Sequence, residues 1–327
     1  MKLIKRTAPL AGLCGLLFAL QAVAASGPVW LSDHAPKGNR GMRSSHGGPV
    51  EIRRGTYYKH LWIRQGDSPQ TSNYARSWEG SANLQLLDAQ GQLSEIPLQA
   101  QQDQGGVEAV FPMPDEGFYN AYLQQARIED GRREMTIAKT EVLKHSCREG
   151  HDNVQEKMPA HHNPAMPLEI VRERQEKENF HTLTGYGDEI RFRILSNGEP
   201  LAGAKVTITS GQGWSKSTRS NDQGLAAFTM IRDYYPDWTK FEKRHAQTYL
   251  VNAVYESADA GEWDGVSYRG TRYLASFTGQ YFPSEADYES YAHGLSYGLG
   301  ALFLTAGGTY FYRRRRIRPY REIRFDE

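Results

Sequence analysis

The chain has 327 residues, with 39 basic against 38 acidic side chains and a formal net charge of +1. That balance gives a general nucleic-acid role no electrostatic footing, and the length accommodates two small domains. A mean hydropathy of −0.65, with 32 glycines and 19 tyrosines, argues against a multispanning membrane protein and for β domains rich in turns.

The first residues read as an address. Lys2, Lys5 and Arg6 precede an apolar run from Leu10 to Leu20, and Ala22-Val23-Ala24 offers small residues for cleavage. This pattern is expected to be a secretory signal peptide over residues 1–25, with an uncleaved anchor as the alternative. Cys14 follows the bulky Leu13 inside the apolar run and does not read as a lipoprotein cysteine. Its removal leaves Cys147 as the one cysteine of the mature chain, so no intramolecular disulfide is expected.

Residues 26–48 are rich in Gly, Ser, Arg and His without a period, an irregular lead-in. Residues 49–144 read as a first β-sandwich. Tyr58, His60 and Trp62 alternate with Lys59, Leu61 and Ile63, a strand buried on both faces. Asp88-Ala89-Gln90-Gly91 separates two apolar runs as a hairpin turn would, and Glu129-Asp130-Gly131 is a second such turn.

Residues 145–166 lose all hydrophobic period and form an interdomain segment. They hold His145, Cys147, His151, His161 and His162, with Met158 and Met166. Imidazole suits nickel, cobalt, copper and zinc, and thiolate adds a softer donor. These five residues are therefore the candidate metal ligands, although their spacing follows no finger or ribbon template. The plain alternative is a solvated linker. His34 and His46 are either further ligands or simply exposed, and His60 and His181 are assigned to the two domains.

Residues 167–282 read as the second β-sandwich. Ile190, Phe192 and Ile194 alternate with charged neighbours, Asn197-Gly198 supplies a turn, and Ala204, Val206 and Ile208 form a second alternating set. A third strand runs through Trp214, Lys216 and Thr218, and Asn221-Asp222-Gln223-Gly224 turns into Leu225 to Met230. The runs NGEPLAGAKVTIT and SNDQGLAAF resemble the pattern of transthyretin-like and carboxypeptidase-regulatory-like sandwiches. With PLEIVRE at Pro167 to Glu173 and GYGDEIRFRIL before the turn, the match is similar to a family of uncharacterised periplasmic proteins associated with nickel and cobalt uptake. It covers roughly Pro167 to Tyr255. Members tend to begin the mature chain with a His-Asp-Leu/Phe-Trp segment, whereas here the order is Pro28-Val29-Trp30-Leu31-Ser32-Asp33-His34, so no ligand is carried over at that end.

Tyr234, Tyr235 and Trp238 form an aromatic insertion that either faces a sugar or partner protein or packs over the sandwich edge. Residues 283–292 are a polar stalk. Residues 293–312 are uncharged and mostly apolar, and Arg313-Arg314-Arg315-Arg316 follows at once. A transmembrane helix with a basic cytoplasmic tail at 313–327 is expected, against a buried core helix or a processed sorting signal.

The expected fold is thus all-β: two Ig-like or transthyretin-like β-sandwiches plus one C-terminal transmembrane helix. No nucleophile elbow, zincin motif or phosphate-binding glycine loop is present in the sequence, so a non-enzymatic role is expected. The resemblance implies a membrane-anchored periplasmic accessory protein of nickel- or cobalt-type uptake, binding or presenting the ion. Its partners would be inner-membrane transporter subunits or another envelope protein, its bulk periplasmic and its tail cytoplasmic. The alternative is a non-catalytic envelope module that binds a partner protein or a glycan.

Overall fold

The computed structural model describes residues 27–103, 105–147, 154–234, 246–283, 285–317 and 325. The signal-like segment, His151 and the insertion residues Tyr235 and Trp238 lie outside the described residues. The strands in chain order are β1 (Val29–Ser32), β2 (Arg43–Ser45), β3 (Gly48–Arg53), β4 (Thr56–Gln65), β5 (Asn73–Tyr74), β6 (Asn83–Leu87), β7 (Leu93–Gln101), β8 (Gly106–Met113), β9 (Gly117–Glu129), β10 (Arg132–Lys144), β11 (Glu169–Arg172), β12 (Glu189–Ser196), β13 (Glu199–Pro200), β14 (Lys205–Thr209), β15 (Ser215–Arg219), β16 (Leu225–Thr229), β17 (Gln247–Trp263) and β18 (Val266–Tyr281). A short 3-10 turn at Val154–Lys157 and one helix, α1 (Glu285–Arg316), complete the described elements. The all-β expectation is met.

The turns form where the sequence places them, because each contains residues that tolerate positive φ. Asn197 and Gly198 sit at φ 50° and 83°, and Asp130 and Gly131 at 51° and 74°. The Asp88 carboxylate accepts from the backbone N–H groups of Gln90 and Gln92 at 2.9 and 2.8 Å. The alternation also holds: Ile190, Phe192, Ile194, Val206 and Ile208 are all buried.

The connection between the two halves differs from two separate sandwiches. One curled sheet runs β15-β14-β17-β18-β10-β9-β6-β7-β8-β4-β3-β2, with β1 and β5 pairing to β4. A second, smaller sheet runs β11-β12-β13, with β16 on β12. Strand β10 of the first half pairs in parallel with β18 of the second, from Arg133 opposite Thr271 to Thr140 opposite Thr278. Parallel neighbours need a long crossover, and residues 145–265 are that crossover. The Asn197-Gly198 turn leads into β13, which still pairs with β12; the chain then leaves the small sheet, and β14 pairs with β17 in the large one. Ala204, Val206 and Ile208 therefore face the β12 set across the core instead of beside it.

The wall shared by both halves is β9 and β10. Side chains alternate along a strand, so Tyr122 and Ile137 enter the core shared with the small sheet. Ala121, Leu123 and Ala138 enter the core shared with β1, β4 and β8. The irregular lead-in is corrected in part: Val29–Ser32 is a fully buried strand. It pairs with β4. From β18, Ser276 Oγ donates to the Val29 carbonyl at 2.6 Å and Thr278 Oγ1 to the Leu31 carbonyl at 2.9 Å. Four residues are too short a window for a periodic signal, which is why the sequence hid this strand.

The apolar run at 293–312 forms part of α1, and the helix begins in the stretch expected to be a stalk. Among the described residues no helix is long and apolar enough to cross a membrane. Gly294, Gly298, Gly300, Gly307 and Gly308, together with serine, threonine and tyrosine, dilute the leucines and phenylalanines of that run. The expectation of a spanning helix is therefore not met by its hydropathy.

Phe192 is fully buried and packs against the rings of Phe228, Tyr249 and Phe277 at centroid distances of 6.2, 6.1 and 5.8 Å. Phe192→Ala is expected to cost about 3–5 kcal/mol, whereas Arg191→Ala and Arg193→Ala, on the exposed face, stay within about 1 kcal/mol. Chemical denaturation of the three variants checks this, and equal losses would mean that the strand faces are assigned wrongly.

Candidate metal centre

Four side chains from three distant segments meet at one edge of the large sheet: His46, His145, Cys147 and His181. One ligand atom of each lies within 4.8 Å of all the others. His145 Nε2 is 3.2 Å from His181 Nε2. Cys147 Sγ is 3.6 Å from His145 Nε2 and 3.6 Å from His46 Nε2. A tetrahedral ion with metal–nitrogen bonds of 2.0–2.1 Å and a metal–sulfur bond of 2.3 Å spaces its donors by about 3.3–3.7 Å. The three separations match those edges.

Each ligand is placed by a local device. His46 sits in the turn between β2 and β3. Its neighbour Gly47 lies so close to β10 that a Cβ there would be 1.9 Å from the Leu143 carbonyl oxygen. Only glycine permits that approach. Buried Lys59 donates to the Gly47 carbonyl at 2.7 Å and to Asp33 Oδ2 at 3.0 Å, pinning the turn from beneath. His145 and Cys147 leave the end of β10. Glu116, in the turn before β9, accepts from His145 Nδ1 at 2.5 Å, and Lys157 holds its other oxygen at 2.9 Å. Burial pushes the Glu116 carboxyl up, but its bonds to Lys157 and His145 hold its pKa below the usual value. With the carboxylate accepting, Nδ1 carries the hydrogen and Nε2 turns its lone pair toward the other side chains of the cluster.

His181 is raised by a turn that Asn179 closes: Asn179 Oδ1 accepts from the His181 N–H at 2.8 Å, and Thr182 Oγ1 from the Asn179 N–H at 2.9 Å. Phe180 anchors that turn in a small core with Phe118 and Met158, its ring 5.0 Å from that of His145. Paired charges brace the same loop. Arg172 binds Glu178 at 2.5 and 3.1 Å, and Arg174 binds both oxygens of Glu141 at 2.7 Å while lying 3.8 Å above the Phe118 ring. Burial raises the Glu141 pKa, but Arg174 and Arg172 overcome it and hold the carboxyl at about 2. A cavity of about 140 Å³ adjoins the cluster, lined by His46, Phe118 and Phe180 together with Asp33, Lys59 and Gln280.

Of the five residues expected as ligands, the structure brings together His145 and Cys147. His151 lies outside the described residues. His161 and His162 are described and stand apart from the group. His162 is exposed. The His161 carbonyl receives Lys139 Nζ at 3.4 Å, and burial lowers the His161 pKa. His46 enters as one of the two further ligands weighed from the sequence, and His181 was missed. Its only local trace is the turn-forming Asn179 two residues before it.

The geometry supports two chemistries. Three imidazoles and a thiol around one point can hold a borderline or soft ion. Glu116, His145 and Cys147 taken alone also form a chain along which a thiol proton could pass to imidazole. That chain has no use for His46 and His181, whose rings pack edge-on at 4.7 Å against each other and, for His181, against His145.

No family model matches the chain, and no curated protein does. Among solved structures it is similar to a biofilm-associated protein BSP domain, at 11% identity, covering 70% of this chain and 27% of that one with a TM-score of 0.17. It is also similar to a tetra-tandem repeat from the extending region of a large adhesion protein, at 10% identity, covering 78% of this chain and 49% of that one with a TM-score of 0.19. The chain thus spans about half or less of the length of these structures. Likenesses this slight carry no weight in the functional reading.

Two outcomes are expected. Glu116→Gln weakens metal affinity about 10–100-fold by loosening His145, read by competitive metal titration, with an unchanged affinity counting against the site. The Glu141 pKa lies below its ordinary 4.5, so Glu141 adds stability above that value and loses it as the pH falls toward about 2. Denaturation across that window should show unfolding free energy dropping on acidification, by up to about 1.4 kcal/mol per pH unit for one group. Glu141→Gln should flatten this slope, and an unchanged slope would mean that Glu141 is not the group titrating.

Proposed function

We propose that this chain is an envelope protein that binds a transition-metal ion through His46, His145, Cys147 and His181, as an accessory of metal uptake. The observation that carries the proposal is the convergence of four nitrogen and sulfur donors within 4.8 Å of one another, with three separations at the edge lengths of a tetrahedral ion. The donor set suits zinc, cobalt, nickel and copper and disfavours hard ions such as magnesium. Nickel or cobalt comes from the resemblance of residues 167–255 alone. The envelope setting rests on that resemblance and on the basic, apolar, small-residue pattern of Lys2 to Ala24. A non-catalytic interaction module has no need of this convergence, which is the reason for preferring the metal reading.

The test is to titrate zinc, cobalt, nickel and copper into the reduced full-length protein. Wild type is expected to bind at least one of them with a Kd below about 1 μM, near −8.2 kcal/mol. His161→Ala/His162→Ala should bind as wild type, and His46→Ala/His181→Ala should lose about 100-fold or more. The reverse order would move the site to the 145–162 segment, and no binding by wild type would end the metal reading.

A further inference from the structure

How an ion would leave this site follows from the exposure of its donors, given the metal reading above. The four donors are graded in exposure. The His145 side chain is fully buried, locked by Glu116 and covered by the ring of Phe180. His46 is half-buried, and Cys147 and His181 are exposed on one side. Exposure thus falls from Cys147 and His181 through His46 to His145.

We infer that the ion is passed on by direct ligand exchange, to an acceptor offering imidazole or thiolate donors that enters on the Cys147–His181 side. The acceptor's first donor bonds to the ion as the bond to His181 breaks. Its next donors replace Cys147 and His46, and His145 lets go last. The ion keeps its oxidation state throughout, and the released thiolate takes its proton from water. His181 is the gate because its side chain is exposed and stands on a surface turn closed by Asn179 and Thr182, whereas His145 is buried. His145 is the anchor because Glu116 and the Phe180 ring hold its imidazole in place away from solvent, so an incoming donor reaches it last.

Cobalt(II) loaded under reducing conditions into the full-length protein gives a thiolate-to-cobalt absorption that reports the bound ion. Free L-histidine serves as the acceptor probe in rapid mixing. The transfer rate is expected to rise in proportion to histidine concentration. A rate that stays flat, from a protein that does bind cobalt, shows spontaneous release and overturns the inference while leaving the metal reading intact. Failure to load cobalt, zinc, nickel or copper at all brings down both. His181→Ala should transfer about tenfold faster or more at equal histidine, since it starts with the gate open. Transfer no faster than wild type overturns the order of release. If that variant does not fold, His181→Gln provides the same comparison. Glu116→Gln should instead raise the histidine-independent release, because it frees the anchor and leaves the gate unchanged.

Discussion

Strand β10 carries a core on each of its faces, and the rest of the structure depends on that constraint. Ile137 points to one core and Ala138 to the other, so no register shift is tolerated: a slip by one residue would exchange the two sets. Its neighbours are fixed with it. On one side β9 runs antiparallel along its whole length, and on the other β18 runs parallel. The parallel contact converts two stretches of sequence that each resemble a sandwich into three layers sharing a central wall. It also makes the fold non-local, because β18 can add to β10 only after the crossover has been made.

The His/Cys cluster stands where that wall ends. His145 and Cys147 continue directly from β10, the β2–β3 turn is pressed onto β10 at Gly47, and the loop carrying His181 returns from the second layer. An ion there would tie the N-terminal hairpin, the central wall and the crossover to one point. Binding energy at such a point is also folding energy, because the unfolded chain holds these donors far apart.

Buried charge keeps those pieces aligned. Lys59 with Asp33, Lys139 with Glu169, and Arg174 with Glu141 are each paired and hydrogen-bonded away from water. Tyr122 Oη donates to Glu169 at 2.8 Å, joining β9 to the same group. Pairs of this kind add little net stability over an apolar core, but removing one partner leaves an uncompensated charge at a cost of about 3–5 kcal/mol. They therefore set which loop sits against which strand more than they set how stable the fold is.

The sequence by itself determined the local structure. Period-two alternation at Ile190, Phe192 and Ile194 and the turn chemistry of Asn197-Gly198 and Asp130-Gly131 are short-range properties of the chain, and they were legible as written. His145 and Cys147 stand two residues apart in an aperiodic stretch, and the structure keeps them together in one cluster. What only the tertiary structure decided is everything that rests on pairing between distant segments. The parallel contact of β10 with β18 leaves no mark in either strand, since both alternate as any strand would. The buried strand at Val29–Ser32 owes its place to hydrogen bonds from Ser276 and Thr278, 247 residues away. Density along the sequence favoured His161 and His162 as ligands, whereas proximity in space selects His46 and His181. Such a cluster is defined by distances of a few ångströms, and those are fixed by the end of β10, the β2–β3 turn pressed onto it at Gly47 and the crossover loop that carries His181.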